Sequence, residues 1–215
     1  MLGDKSFAAT FPPVGTKIVV FDLGNVLIQW DRRLLFDQLI DDPAELQHFL
    51  DNILTMEDNK RLDSGVALAE VAADAAARHP EYHDLIMAFG SRWKETLGEV
   101  IEGSVRILED LKAAGTPLYA LTNWGKDTFA SIEADYPFFS HFDGMVVSGR
   151  EGVIKPSSAI YRILCDRYGF SPSDAVFIDD SGANIATAAA LGFDALLFEN
   201  PQRLRQQLIY RSLLT

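Results

Sequence analysis

Five short runs rich in β-branched or aromatic residues stand out along the chain: Lys17–Phe21, Pro117–Leu121, Gly144–Ser148, Ala175–Asp179 and Asp194–Phe198. Each reads as a strand. Their apolar positions are contiguous rather than alternating, the pattern of strands covered on both faces of a parallel sheet. Between the later runs the spacing changes to that of helices. Val105, Leu108 and Leu111 recur on one face of Val105–Ala114, and Gly115 follows as a stop. Ala159–Tyr168 and Asn184–Leu191 behave in the same way, the second ending at Gly192. From about residue 100 onward the pattern is β-α-β-α, which predicts a doubly wound α/β sheet.

One interval breaks that alternation. About 95 residues separate the first strand from the second, far more than a crossover helix needs. Arg33–Ile40, Pro43–Leu54, Val66–Arg78 and Tyr82–Thr96 are helical in pattern, and the polar tract Glu57–Asp63 reads as a solvated linker between them. The surplus predicts an inserted helical subdomain. The expected division is a first core segment at 1–30, a helical cap at 31–98 and a second core segment at 99–215.

Composition narrows the function classes. The chain has 215 residues, 48% hydrophobic and 23% charged, with 19 Lys and Arg against 31 Asp and Glu, a formal charge of −12. An acidic chain lacks the clustered cations that nucleic-acid phosphates require, and the Arg203, Arg205, Arg211 group is too sparse to supply them. No apolar run approaches the roughly 20 residues of a membrane span. Met1 to Gly15 lacks the basic start and apolar stretch of a secretory leader, so a cytoplasmic location is expected. The single cysteine, Cys165, excludes an internal disulfide and sits in an apolar helical stretch, where an inert buried thiol is expected. His48, His79, His83 and His141 show no metal-ligand spacing.

In open α/β sheets ligands bind at the carboxyl ends of the strands. Reading only those ends collects Asp22 after the first strand, Thr122-Asn123-Trp124 after the second, Lys155 beyond the third and Asp179-Asp180-Ser181 at the fourth. This inventory suits transfer of a phosphoryl group to a carboxylate. Asp22 would be the nucleophile. A carboxylate approaching a phosphate dianion needs a cation between them, and Mg²⁺ accepts carboxylate and carbonyl oxygens, here Asp22, Asp180 and the Gly24 carbonyl. Lys155 would neutralise nucleophile and phosphate. Thr122, with the backbone amides from Asn123 onward, would hold a phosphate oxygen. Taken singly, each residue also has an ordinary reading as a helix cap, a turn or a surface charge. Their order and strand-end positions together carry the chemistry.

From about residue 17 to 199 the chain resembles the haloacid dehalogenase superfamily. The first motif of that family, an apolar strand then Asp-x-Asp, is matched by Phe21-Asp22-Leu23-Gly24-Asn25-Val26. The second is matched by Leu121-Thr122-Asn123, the third by Lys155-Pro156, and the acidic fourth by Phe177-Ile178-Asp179-Asp180-Ser181. A helical insertion between motifs one and two looks like subfamily I. The resemblance implies a Rossmann-like core, a cap closing over substrate, Mg²⁺ in the phosphatase branches, and Asp179 ligating the ion directly or through water. It also implies substrate contacts from Thr122, Asn123 and Lys155, and a small phosphorylated metabolite as the partner.

The second Asp of motif one, the family's acid/base, is Gly24 here. Losing a positioned acid/base costs on the order of 10²- to 10⁴-fold. A bacterial branch acting on sugar phosphates such as glucose 1-phosphate is similar in its Asp-Leu-Gly-Asn-Val segment and its acidic pair. True 2-haloacid dehalogenases also lack that Asp, but they look different: they lack the acidic pair, and carry Tyr where Gly24 stands and a cap Arg where Ile53 stands. A non-catalytic binding module with this fold is the third reading, supported by Gly24 alone. Trp30, Asp31, Arg32 and Arg33 lie at the entry to the cap. One of those arginines could meet a second part of the substrate, and Trp124 could line the pocket or pack beneath the cap.

Overall fold

The computed structural model describes residues 17–215. Met1–Gly15, read above as lacking a leader, and the opening of the 1–30 segment lie outside the described residues. The main sheet holds β1 (Ile18–Phe21), β4 (Leu118–Thr122), β5 (Gly144–Val147), β6 (Ala175–Asp179) and β7 (Asp194–Leu197), in the order β5-β4-β1-β6-β7. Every neighbouring pair is parallel. The contiguous apolar runs have the expected cause. Along β1, Val19 and Phe21 enter one core cluster while Ile18 and Val20 enter the other. Both faces of the pleat are therefore buried, and no position along the strand is left for a polar side chain.

Helices cover the two faces. α6 (Glu102–Ala113), α7 (Lys126–Ile132) and α11 (Pro201–Tyr210) contribute to the first cluster, and α9 (Ser158–Tyr168) and α10 (Gly182–Leu191) to the second. The one-turn α8 (Ser148–Glu151) follows β5 directly, so Ser148 opens a helix instead of closing a strand. The second strand also sits one residue later than its apolar run suggests, with Thr122 as its last member.

The interval between β1 and β4 is helical, with α1 (Arg33–Phe36), α2 (Pro43–His48), α3 (Met56–Asp63), α4 (Leu68–Arg78) and α5 (His83–Arg92). Two features differ from expectation. A two-stranded antiparallel ribbon, β2 (Ile28–Trp30) with β3 (Leu97–Val100), joins the chain entering this interval to the chain leaving it. These runs are too short to announce themselves by pattern. The tract expected as a solvated linker, Glu57–Asp63, is α3. Thr55 caps it in a reciprocal box with Asp58, and Leu62 is buried. One apolar cluster continues from the sheet (Val19, Phe21) into these helices (Phe36, Phe49, Phe89), so the helical interval packs on the same core.

Candidate active site

Asp22 leaves the sheet one residue beyond the Phe21–Ile178 partner pair, its amide held by the Ile178 carbonyl at 2.8 Å. The chain then folds back tightly. The amides of Val26, Leu27 and Ile28 all return to the Leu23 carbonyl. Asn25 takes a left-handed φ of 55°, a conformation asparagine tolerates, and its side-chain oxygen accepts from the Trp30 amide at 2.9 Å. Gly24 is left against the pocket, and a Cβ built there would meet nothing within 4 Å.

Lys155 sits at the centre. Its Nζ is 2.9 Å from Asp22 Oδ1 and 2.7 Å from Asp179 Oδ2, and it donates to the Leu121 carbonyl at 2.8 Å. These three acceptors match the three donors of an ammonium, which lets a fully buried lysine remain charged. Asn123, expected as a substrate contact, lines the pocket and also has a local task. Its oxygen accepts from the Lys155 amide at 2.8 Å and its nitrogen donates to the Lys155 carbonyl at 3.0 Å, clamping the lysine's backbone. Asp179 is held just as firmly. Its Oδ1 accepts from the Ser181 amide, its Oδ2 from Lys155, and both oxygens accept from Asn184 Nδ2.

Asp180 is exposed, and one oxygen each from Asp22, Asp179 and Asp180 can be chosen so that all lie within 4.8 Å of one another. Three carboxylates against one ammonium leave two negative charges, which a hard divalent cation with oxygen ligands would balance. The donor set therefore fits Mg²⁺. Without an ion the repulsion appears in the titration. Burial, opposed by Lys155 and reinforced by Asp179 and Asp180, pushes Asp22 up to about 7. Although Asp180 is exposed as a residue, partial burial of its carboxyl and the charge of Asp179 likewise raise it. Lys155 loses hydration, which pulls it down, but Asp22 and Asp179 together outweigh that loss and hold it above the ordinary range.

Beside the cluster is a pocket of about 190 Å³. Trp30, Trp93, Trp124, Met56 and Leu62 form its apolar wall, with Asp63 and Asn59 from α3. Trp124 both lines the pocket and packs, its ring 5.9 Å from Trp93 and 5.8 Å from Phe129. Three buried polar atoms near this region, Thr122 Oγ1, Trp93 Nε1 and Trp124 Nε1, have no hydrogen-bond partner among the described residues. Such groups are costly to bury unless a ligand or water meets them.

The arginines at the entry to the helical interval, the histidines and the cysteine take other places. Arg32 is buried with its guanidinium on the Leu54 and Leu50 carbonyls, and Arg33 bonds Gln47 at the surface. None of the four histidines lines the pocket. Cys165 is buried, and burial pushes its thiol up to about 12, so it stays protonated. The residue that sequence reasoning missed is Asp63, hidden in the supposed linker. The signal that could have found it is the Thr55-x-x-Asp58 capping box, which marks a helix start.

A family model described as haloacid dehalogenase-like hydrolase matches residues 16–192. The chain belongs to that family. As a haloacid dehalogenase-like hydrolase it is similar to a sesquiterpene phosphatase of Aspergillus oryzae, with 24% identity over 189 residues, covering 84% of this chain and 88% of the relative. Three longer relatives are matched over only 15%, 36% and 17% of their own length. Among solved structures, a HAD family enzyme of Bacteroides thetaiotaomicron, in complex with magnesium and inorganic phosphate, superposes with a TM-score of 0.64. Its identity is 22%, over 86% of this chain and 95% of that one. The L-2-haloacid dehalogenase of Xanthobacter autotrophicus, with chloropropionic acid covalently bound, gives a TM-score of 0.59 at 15% identity, over 93% and 85%. The hydrolase fold is thus shared by proteins of different chemistry, and the site must choose between them. Among the described residues no helix is long and apolar enough to cross a membrane.

Proposed function

We propose that this hydrolase is a Mg²⁺-dependent phosphatase that cleaves a small phosphomonoester through an aspartyl phosphate on Asp22. The observation that carries the reading is the buried Lys155 bridging Asp22 and Asp179, with Asp180 completing a three-carboxylate cluster at the strand ends. Asp22, Asp180 and the Gly24 carbonyl would hold the ion. Asp179, whose oxygens are already engaged, would reach it through water. When bound, Mg²⁺ neutralises the charge between nucleophile and phosphate. Lys155 orients Asp22 and favours its charged form against burial, Asn123 fixes Lys155, and the unpartnered Thr122 hydroxyl donates to a phosphate oxygen.

The helices of the 31–98 interval act as a subfamily I cap, bringing Trp93, Met56 and Leu62 over the substrate. A pocket of about 190 Å³ is below the roughly 300–1,000 Å³ of pockets that hold drug-sized ligands, which favours a compact substrate. A sugar phosphate suits it. Tryptophan faces pack on sugar rings, the free indole N–H groups can donate to hydroxyls, and an anomeric phosphate leaves more easily than a simple alkoxide. The protonated, buried Cys165 is compatible with action in a reducing cytoplasm.

A halide-displacing dehalogenase would place a carboxylate substrate beside three carboxylates, which Coulomb repulsion disfavours without a cation. Phosphate release from a panel of sugar and other small phosphomonoesters, with and without Mg²⁺, tests the proposal. Mg²⁺-dependent turnover that Asp22→Asn abolishes is expected. A folded protein that releases no phosphate from any ester overturns it, and halide release from chloroacetate would then support the dehalogenase reading.

A further inference from the structure

Transfer of a phosphoryl group to Asp22 and then to water needs a group that gives a proton to the leaving oxygen and takes one from the attacking water. Position 24 offers no side chain. Among the described residues lining the pocket, only three titrate: Asp22, Asp180 and Asp63. The first two belong to the cluster around Lys155. Asp63 stands apart, at the last residue of α3, on an element that comes from the helical interval rather than from the sheet.

Its placement is well defined. Asn59 Nδ2, one turn earlier, donates to Asp63 Oδ2 at 2.9 Å. The Asp63 carbonyl accepts from the Ser148 hydroxyl at 2.6 Å, which ties the end of α3 to the start of α8. Two residues on, Gly65 has a φ of +102°, and a Cβ there would lie 2.8 Å from the Gly149 carbonyl oxygen, so the backbones meet closely.

We propose that Asp63 is the proton-transfer residue of this hydrolase, supplied by the cap in place of a side chain at position 24. The proposal rests on the phosphatase reading above. As Asp22 bonds to phosphorus, the ester P–O bond breaks, its electron pair stays with the leaving oxygen, and that oxygen takes the Asp63 proton. The alcohol departs and Asp63 is left ionised. Water then bonds to phosphorus and the P–O bond to Asp22 breaks, returning its pair to the carboxylate. The water's proton returns to Asp63. Phosphate is released with both residues restored.

The environment suits this exchange. Burial, partly offset by Lys155 and by the Asn59 bond, pushes Asp63 up to about 7, where both protonation states are accessible at neutral pH. On α8, which packs against α3, Arg150 is paired with Glu133 and Glu151 with Arg167. On α3 itself, Lys60 pairs with Glu57 and Arg61 with Asp74.

The test compares an alkyl phosphate with p-nitrophenyl phosphate, whose leaving group needs no proton. Asp63→Asn is nearly isosteric. It is expected to lower kcat/KM on the alkyl ester by about 10²- to 10⁴-fold. On the nitrophenyl ester it should release one equivalent of nitrophenolate and then stall, because the second step lacks its base. Acid-quenched intact-mass spectrometry should then find the phosphorylated enzyme, absent in Asp22→Asn. Because position 24 has room for a side chain, Gly24→Asp introduced into Asp63→Asn should restore turnover. Wild-type rates in Asp63→Asn overturn the proposal, as do equal losses on both esters with no phosphorylated enzyme. Wild-type protein that turns over neither ester nor any other would instead fail the phosphatase reading itself.

Discussion

The Ser148 hydroxyl donates to the Asp63 carbonyl at 2.6 Å and accepts from the Trp124 amide at 2.9 Å. One buried oxygen, 85 residues along the chain from Asp63, thus connects the end of α3 to the loop after β4. Asp63 and the cluster around Asp22 keep their relation because this bond and the Gly65–Gly149 backbone approach leave α3 little freedom.

Ser148→Ala should therefore cost about 1–3 kcal/mol, the penalty for a buried amide and carbonyl left unpaired. Urea unfolding measures it. A midpoint equal to wild type would show that the bond holds nothing. Activity should fall further than stability, since the variant frees the helix end that carries Asp63.

Lys155→Met removes the ammonium and leaves Asp22 and Asp179 facing each other in a buried site. Breaking a buried pair in this way costs about 3–5 kcal/mol. The loss should be larger at pH 8 than at pH 5, because protonation of Asp22 relieves the repulsion at the lower pH. Equal losses at the two pH values would count against a charged cluster.

Asp63 should destabilise the protein as pH rises. Its folded-state value of about 7 lies above the ordinary carboxylate value of 3.8, so the folded state holds the proton more tightly than the unfolded chain. The stabilisation is complete below about pH 4 and is lost as pH rises through 7. With a chelator present, Asp63→Asn should match wild type near pH 4 and exceed it by about 1 kcal/mol at pH 8, a figure that allows for partial exposure. A variant less stable than wild type at pH 8 would contradict this account.

Mg²⁺ should raise the melting temperature of the wild-type protein, by the equivalent of about 2.7 kcal/mol at a hundredfold excess over Kd. Asp180→Asn should remove most of that gain while the ion-free protein melts normally, since Asp180 is exposed and its loss lowers the local negative charge. An undiminished Mg²⁺ response in the variant would place the ion elsewhere.

Several parts of this molecule were legible without coordinates. Strands buried on both faces must be apolar throughout, so Val19, Val20 and Phe21, or Val176, Phe177 and Ile178, announce a covered parallel sheet by themselves. The carboxyl ends of such strands are where a ligand meets side chains, and that rule alone gathers Asp22, Thr122, Lys155 and Asp179. The ribbon of Ile28–Trp30 with Leu97–Val100 was not legible, because three or four residues carry too little period and the partners lie about 70 residues apart.

Asp63 shows where local pattern stops. In the tract Glu57–Asp63 only Leu62 is apolar, and that composition describes a solvated linker as well as a helix with one buried face. Periodicity reports which positions are buried; it says nothing about a polar group held at the mouth of a pocket by a residue 85 positions away. Residue types and strand order pointed to Asp22, Lys155 and the acidic pair, since Asp22 and Asp179-Asp180 stand at their own strand ends and Lys155 comes shortly after β5 and α8. Only the tertiary structure decided that Asn123 serves Lys155, that Arg32 holds backbone carbonyls and that Asp63 faces the site. Those assignments depend on distances between segments, which backbone geometry and packing set together and which no single stretch of chain encodes.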